Sequence, residues 1–155
     1  MKMRTVLLSL AVLFAAVAVC LAAENVNMGT WKLNEAKSKL SLGAVKNTTV
    51  VYEAAGDSVK VTVEGVDADG KTTHNEWTGK FDGKDYPLTG DPTSDMRAYK
   101  QVNVHTLALT NKKDGKITTT ARVVVSADGK SRTVTAHGTD AKGKKTSSTS
   151  FYDKQ

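Results

Sequence analysis

The chain has 155 residues, with 22 lysines and arginines against 16 aspartates and glutamates, a formal net charge of +6 and 6% aromatic residues. That length supports a single core, and the basic excess is scattered over turns instead of clustered with stacking aromatics, which argues against a nucleic-acid surface. One cysteine, Cys20, excludes an intramolecular disulfide.

Residues 1–23 read as a secretory signal peptide. Lys2 and Arg4 give a positive start, Val6 to Ala18 are apolar except for Ser9, and small residues follow at Cys20, Ala22 and Ala23. The run is too short to serve as a membrane span. Cys20 and Ala22 occupy the positions a signal peptidase would read. Lipid attachment at Cys20 is the alternative, but Val19 stands where that processing expects a small residue. The folding unit is then 24–155, exported to a periplasmic or extracellular space. Its net charge falls to +4 once Lys2 and Arg4 leave.

From Met28 onward the chain reads as strands. Asp-Gly-Lys occurs at 69–71, 82–84, 114–116 and 128–130, and looser glycine turns sit at Gly56 and Gly143. Asp-Gly is a strong hairpin signal because the turn needs a positive φ that glycine accepts. Met28 to Leu33 forms the first strand. Asn34 to Lys46 breaks the pattern, with Asn34 placed to cap a helical turn that Gly43 ends.

Strands follow at Thr48–Ala54, Ser58–Val66, Lys71–Lys80 and Lys84–Leu88. Alternation puts Val59, Val61 and Val63 on one face with Lys60, Thr62 and Glu64 opposite. Thr89 to Asp95 is a loop. Met96–Val102 and Val104–Asn111 make a hairpin, and Ile117–Ser126 carries Ile117, Ala121, Val123 and Val125 in phase. Ser131–Thr139 and Lys144–Asp153 complete about ten strands. An up-and-down meander of that number leaves two open edges unless it closes, so the expected fold is an all-β barrel with room for an internal cavity.

Gly29-Thr30-Trp31-Lys32-Leu33 resembles the Gly-x-Trp signature on the first strand of the calycin superfamily, the lipocalins and fatty-acid-binding proteins. The resemblance implies that Gly29 and Trp31 close one end of the barrel. Thr149 to Lys154 is similar to the last strand of fatty-acid-binding proteins, with Tyr152 on the family's tyrosine and Ser150 where the family has a carboxylate-gripping arginine. Arg122, six residues after Lys116, stands where a second such arginine is expected. The chain also resembles exported bacterial proteins of lipocalin-like fold that carry no assigned function.

Alternation nonetheless sends Arg122 outward with Thr118, Thr120 and Val124, and only a bulge would turn it in. His105 shares a face with Leu107 and Leu109 and points inward, either to bind a ligand or to hydrogen-bond within the core. Tyr52, Trp77, Tyr99 and Tyr152 suit a ligand wall, since each ring offers apolar area and one polar atom, and the alternative is that they plug the core. His74, His105 and His137 lack the spacing of a metal site. No nucleophile turn, phosphate loop or facing carboxylate pair occurs, and no cofactor is expected.

The expectation is a monomeric, non-enzymatic carrier. It would hold a small, largely apolar molecule, with Tyr52, Trp77, Tyr99, His105, Arg122 and Tyr152 as the candidate contacts. Two other classes remain open. One is a surface protein with an inert interior that works through loops such as Thr89 to Asp95; the other is a barrel enzyme using an inward His or Tyr.

Overall fold

The computed structural model describes residues 25–139 and 142–155. The expected signal peptide lies outside them. Ten antiparallel strands close into one barrel in simple chain order: β1 (Gly29–Leu33), β2 (Lys46–Ala55), β3 (Ser58–Val66), β4 (Thr72–Gly79), β5 (Tyr86–Thr89), β6 (Met96–Asn103), β7 (Thr106–Lys113), β8 (Lys116–Val125), β9 (Ser131–Thr139) and β10 (Lys145–Lys154). Closure joins β1 to β10, so the meander leaves neither edge exposed. A 3-10 turn at Glu35–Lys37 is the helical element among the described residues.

That turn works in the seam. β1 pairs with β10 over only Trp31 to Leu33. Asn34 caps the turn by accepting from the Lys37 N–H, while its amide donates to Asp153 on β10 at 2.8 Å. The chain then returns to β10, where Lys39 and Thr149 exchange backbone hydrogen bonds. The short first strand is thereby extended without being a strand.

Three bulges set which side chains point inward: at Asn47/Thr49, Gln101/Asn103 and Asn111/Lys112. The third overturns one expectation. Asn111 pairs with Thr119 but Lys112 pairs with Ile117, leaving Thr118 as the extra residue. One extra residue inverts the phase, so Ile117 leaves the face of Ala121 and is 63% exposed. The bulge falls before Arg122, whose own phase is untouched.

The turns divide the barrel into two ends. At one lie the β2–β3, β6–β7 and β8–β9 turns and both ends of the described chain. At the other lie the long β1–β2 loop, the β3–β4 and β7–β8 turns and the β5–β6 loop. Gly90 lets that last loop press onto β4: a Cβ there would stand 2.2 Å from the His74 carbonyl, and its φ is +83°. The core sits toward the first end, built from Trp31, Val50, Tyr52, Val61, Trp77, Tyr99, Leu107, Val123, Val125 and Tyr152.

Candidate functional site

The closed end is filled by rings. Trp77 meets Tyr99 at 4.8 Å and Tyr86 at 5.8 Å between centroids, both edge-on, and stacks with Phe81 at 6.4 Å. Tyr52 meets Tyr99 edge-on at 6.1 Å. Such offset and edge arrangements suit the ring quadrupoles. Each polar ring atom finds a partner. Trp31 Nε1 donates to the Asn27 carbonyl at 2.9 Å, and Trp77 Nε1 to the Arg97 carbonyl at 2.8 Å. The Tyr152 hydroxyl donates to the Asn47 carbonyl at 3.0 Å.

Arg132 lies among these rings, 2% exposed. Its guanidinium carbon is 4.7 Å from the Trp31 centroid, 4.8 Å from Tyr152 and 5.1 Å from Tyr52. The cation is held by ring faces, while its Nε and Nη1 are buried without a hydrogen-bond partner. Burial pushes the Tyr99 and Tyr152 phenols up from their ordinary range, although the nearby Arg132 pulls in the opposite direction on both.

The open half contrasts sharply. Register carries the inward face from Val123 through Val134 to Ser150, then from Ala121 through Ala136 to Ser148, then from Thr119 through Gly138 to Thr146. None of these lining residues beyond Val134 is larger than threonine. They point inward yet Ala121, Ala136, Ser148 and Ser150 keep partial exposure, as side chains do around an open mouth. A cleft of about 460 Å³ opens at the same end, lined by Leu40, Ala44, Thr48, Val66 and Asp67 among others.

Larger side chains enter this half from β6 and β7: Leu109 pairs with the inward Ala121 and Asn111 with Thr119. Arg97 on β6 pairs with Asn111, on the inward face two residues from Tyr99. It is 6% exposed. Its Nε donates to Asn111 Oδ1 at 2.8 Å and its Nη1 to Asn75 Oδ1 at 3.3 Å.

The sequence candidates separate accordingly. Trp31 seals the closed end, its indole within a core that leaves it no exposed surface. Gly29, at φ +103°, pairs with Tyr52, and a Cβ on it would meet the Lys154 side chain at 3.1 Å. Tyr52, Trp77, Tyr99 and Tyr152 come together in one buried cluster, as packed floor instead of open wall: Tyr99 meets Tyr52 and Trp77, and Arg132 lies over Tyr52 and Tyr152. Arg122 pairs with Ala108 and Thr135 on the outer, exposed face, so it does not reach the interior. His105 also departs from its expected inward strand position. The bulge at Gln101/Asn103 places it in the β6–β7 turn, half-buried, its Nδ1 enclosed without a hydrogen-bond partner. His74 faces outward between Glu64 and Glu76.

Arg97 and Arg132 were absent from the sequence candidates. The signal for Arg132 was present in phase: it is in register with Val125, the last of an apolar run. Arg97 gave less, since Met96-Arg97-Ala98-Tyr99 has no clean alternation and Ala98 is buried too. Among the described residues no group of three or more His, Cys, Asp or Glu is placed to hold a metal.

No family model matches the chain, and no curated protein matches it. A solved structure described as EF1p2_mFAP2b bound to DFHBI is similar over 84% of this chain and 94% of that one, at 11% sequence identity and a TM-score of 0.48. The closed ten-strand meander itself fits a calycin-like fold.

Proposed function

We propose that the protein is an exported small-molecule binder that takes its ligand into the open half of the barrel. The observation that supports this reading is the change of lining along the barrel axis. Large rings fill one half, and in the other the inward positions of β8, β9 and β10 past Val123 and Val134 are alanine, glycine, serine and threonine, which leave volume for a guest. An apolar face of the ligand would rest on Leu109, Val134 and the aromatic floor, and burial of that face would drive binding at about 25 cal/mol per Å².

A binder fits the interior better than an enzyme does. The phenols of Tyr99 and Tyr152 are pushed up by burial, so these groups are poorly placed to exchange protons near neutral pH. Export follows from the layout of residues 1–23, and a single chain carries the whole barrel.

Native mass spectrometry of protein secreted by its own host and purified without detergent tests the reading. A discrete extra mass that denaturation releases is expected, on a chain lacking about its first 22 residues. A bare chain mass, unchanged after incubation with apolar and amphipathic small molecules, would favour a barrel with an inert interior that works through its surface.

A further inference from the structure

We propose that one sector of the open rim docks the barrel onto an anionic lipid bilayer, its lysines meeting the headgroups while Leu42 and Ile117 enter the interface. The inference concerns the outside of the barrel and holds whether or not a guest occupies the interior.

The first support is charge, grouped by the fold. The lysines are scattered along the chain, but alternate connections of a meander lie at the same end. The β1–β2 loop, the β9–β10 turn and the β7–β8 turn are neighbours on the open rim, because β10, β9, β8 and β7 follow β1 around the barrel. Residues 34–46 carry three lysines against Glu35, residues 140–145 three against Asp140, and residues 113–116 two against Asp114. The two connections that complete the rim are acidic, with Asp67 and Asp69 against Lys71 in one and Asp91 and Asp95 in the other. The rim is thus divided into a basic sector and a smaller acidic one.

The second support is how those charges are used. The acidic turns spend their carboxylates on local structure. Asp67 accepts from the backbone N–H groups of Asp69 and Lys71, both at 2.9 Å. Asp91 accepts from that of Thr93 at 2.8 Å, and Asp95 from that of Asp114 at 3.0 Å. In the basic sector Lys46 pairs with Glu35 at 3.0 Å. Lys39, Lys113, Lys116 and Lys145 are exposed and enter none of the ion pairs formed among the described residues. Carboxylates already occupied offer little to the lysines of a second copy, so the fitting partner is an outside anion. A charged bilayer surface meets several such lysines at once.

The third support is apolar. Leu42 is 92% exposed, and Val45 and Ile117 are exposed as well, all within the basic sector. Leu42 stands on a loop in which no residue from 34 to 46 is buried. Ile117 is turned outward by the extra residue Thr118, directly beside Lys116. The other large exposed hydrophobics, Val102, Val104 and Val124, lie toward the closed end. A soluble polyanion would engage the lysines and leave Leu42 and Ile117 in water. A bilayer interface accepts both, taking up apolar side chains below the headgroups that the lysines meet.

Flotation of the secreted protein with lipid vesicles tests the proposal. Vesicles of phosphatidylcholine mixed with phosphatidylglycerol should bind at least roughly tenfold more tightly than phosphatidylcholine alone, and added salt should weaken that binding. Lys113→Glu combined with Lys116→Glu should weaken it roughly tenfold or more, and Leu42→Ser roughly fivefold. Val104→Ser, at the closed end, should leave it unchanged. All four positions are exposed, so each variant should keep the circular dichroism of the barrel. Equal affinity for the two kinds of vesicle, or affinity for neither, overturns the proposal on the wild-type protein alone. Binding that the lysine variant loses and Leu42→Ser retains in full also overturns it, and assigns the sector to soluble polyanions. No vesicle binding, together with a dimer that the lysine variant dissolves, overturns it in favour of a second copy.

Discussion

The two halves of the barrel share ten strands, one alternation and one hydrogen-bond ladder, yet they fill their inward positions in opposite ways. In the closed half the inward side chains are mostly large and packed together, and Gly79 makes room for the Trp77 and Tyr86 rings. Trp31, Tyr52, Trp77, Tyr99 and Tyr152 form a continuous packed mass with a cation inside it. In the open half the same inward direction is taken by Ala121, Ala136, Gly138, Ser148 and Ser150. The contrast separates two tasks. Packing a mass of rings holds the barrel together, and a second region free of that demand can keep space for a guest. A ladder alone would not distinguish them, since backbone pairing is continuous through both.

Truncation breaks or sharpens the comparison most directly. Trp31→Ala should cost about 3–5 kcal/mol in urea denaturation, through lost burial and the cavity left beside Arg132. Ser148→Ala, inward at the other end, should change stability by no more than about 0.5 kcal/mol. Similar losses at the two positions would mean that the open half is core after all. Adding a methyl gives the converse test. A Cβ at Gly79 would stand 2.6 Å from ring atoms of both Trp77 and Tyr86, and Gly79→Ala should cost about 1–3 kcal/mol. At Gly138 the nearest atom, 2.7 Å away, is the Thr119 hydroxyl, which can rotate off, with the Thr118 carbonyl next at 3.1 Å. Gly138→Ala should therefore cost less than about 1 kcal/mol in the same assay. Arg132→Met, which keeps bulk and discards the charge, should lose no more than about 1 kcal/mol, because relief from burying an unpaired cation offsets the lost ring contacts.

Much of this fold was legible in the sequence. The glycine turns and the alternation around Val59, Val61 and Val63 place β3 at the residues expected, and the spacing of the Asp-Gly-Lys turns places β8 and β9 within a residue or so. Trp31, expected from the resemblance to close one end, is fully buried in the core. What alternation could not supply was the position of bulges, because a single extra residue leaves no mark in a run of threonines such as Thr118-Thr119-Thr120. Ile117 was assigned to the wrong face for that reason, and His105 to a strand instead of a turn. The division into halves was also hidden. It depends on which inward residues fall at the same height around a tilted barrel, a relation set by register between strands and invisible within any one of them. Of the two roles the sequence left open for the aromatics, wall or plug, their meeting in one buried cluster fits the second.

Spectroscopic titration probes the closed half by a second route. The Tyr99 phenol is raised chiefly by burial, reinforced by the neighbouring Tyr52, and Tyr152 is raised by burial also. A group whose folded pKa lies above its unfolded value near 10 holds its proton more tightly in the folded state. Its contribution to stability is complete below about pH 10 and declines as the pH rises above it. Phenolate absorbance from these two residues should therefore appear together with unfolding and not as a separate native transition. A native-state ionisation of Tyr99 near pH 10 would show that water reaches the floor.

The smallest expected effect lies on the outer face, where neither half should matter. His74 Nδ1 lies 2.5 Å from Glu64 Oε1, and its Nε2 lies 3.4 Å from Glu76 Oε1, which Lys60 also meets at 3.0 Å. The hydrogen bond to Glu64 raises the imidazole above its usual value, with partial burial opposing and Glu76 adding to it. Because the folded pKa is the higher one, this interaction contributes fully below about pH 6.5 and is lost as the pH rises through the folded value. The groups are exposed, so the change in melting temperature across that range should be slight. The imidazole proton shifts should nevertheless titrate with a midpoint above 6.5, and Glu64→Gln should bring that midpoint down. Should the variant instead shift the titration of the interior tyrosines, the inner and outer faces of β3 and β4 would be coupled. The separation of closed half from open half could then no longer be argued from inward side chains alone.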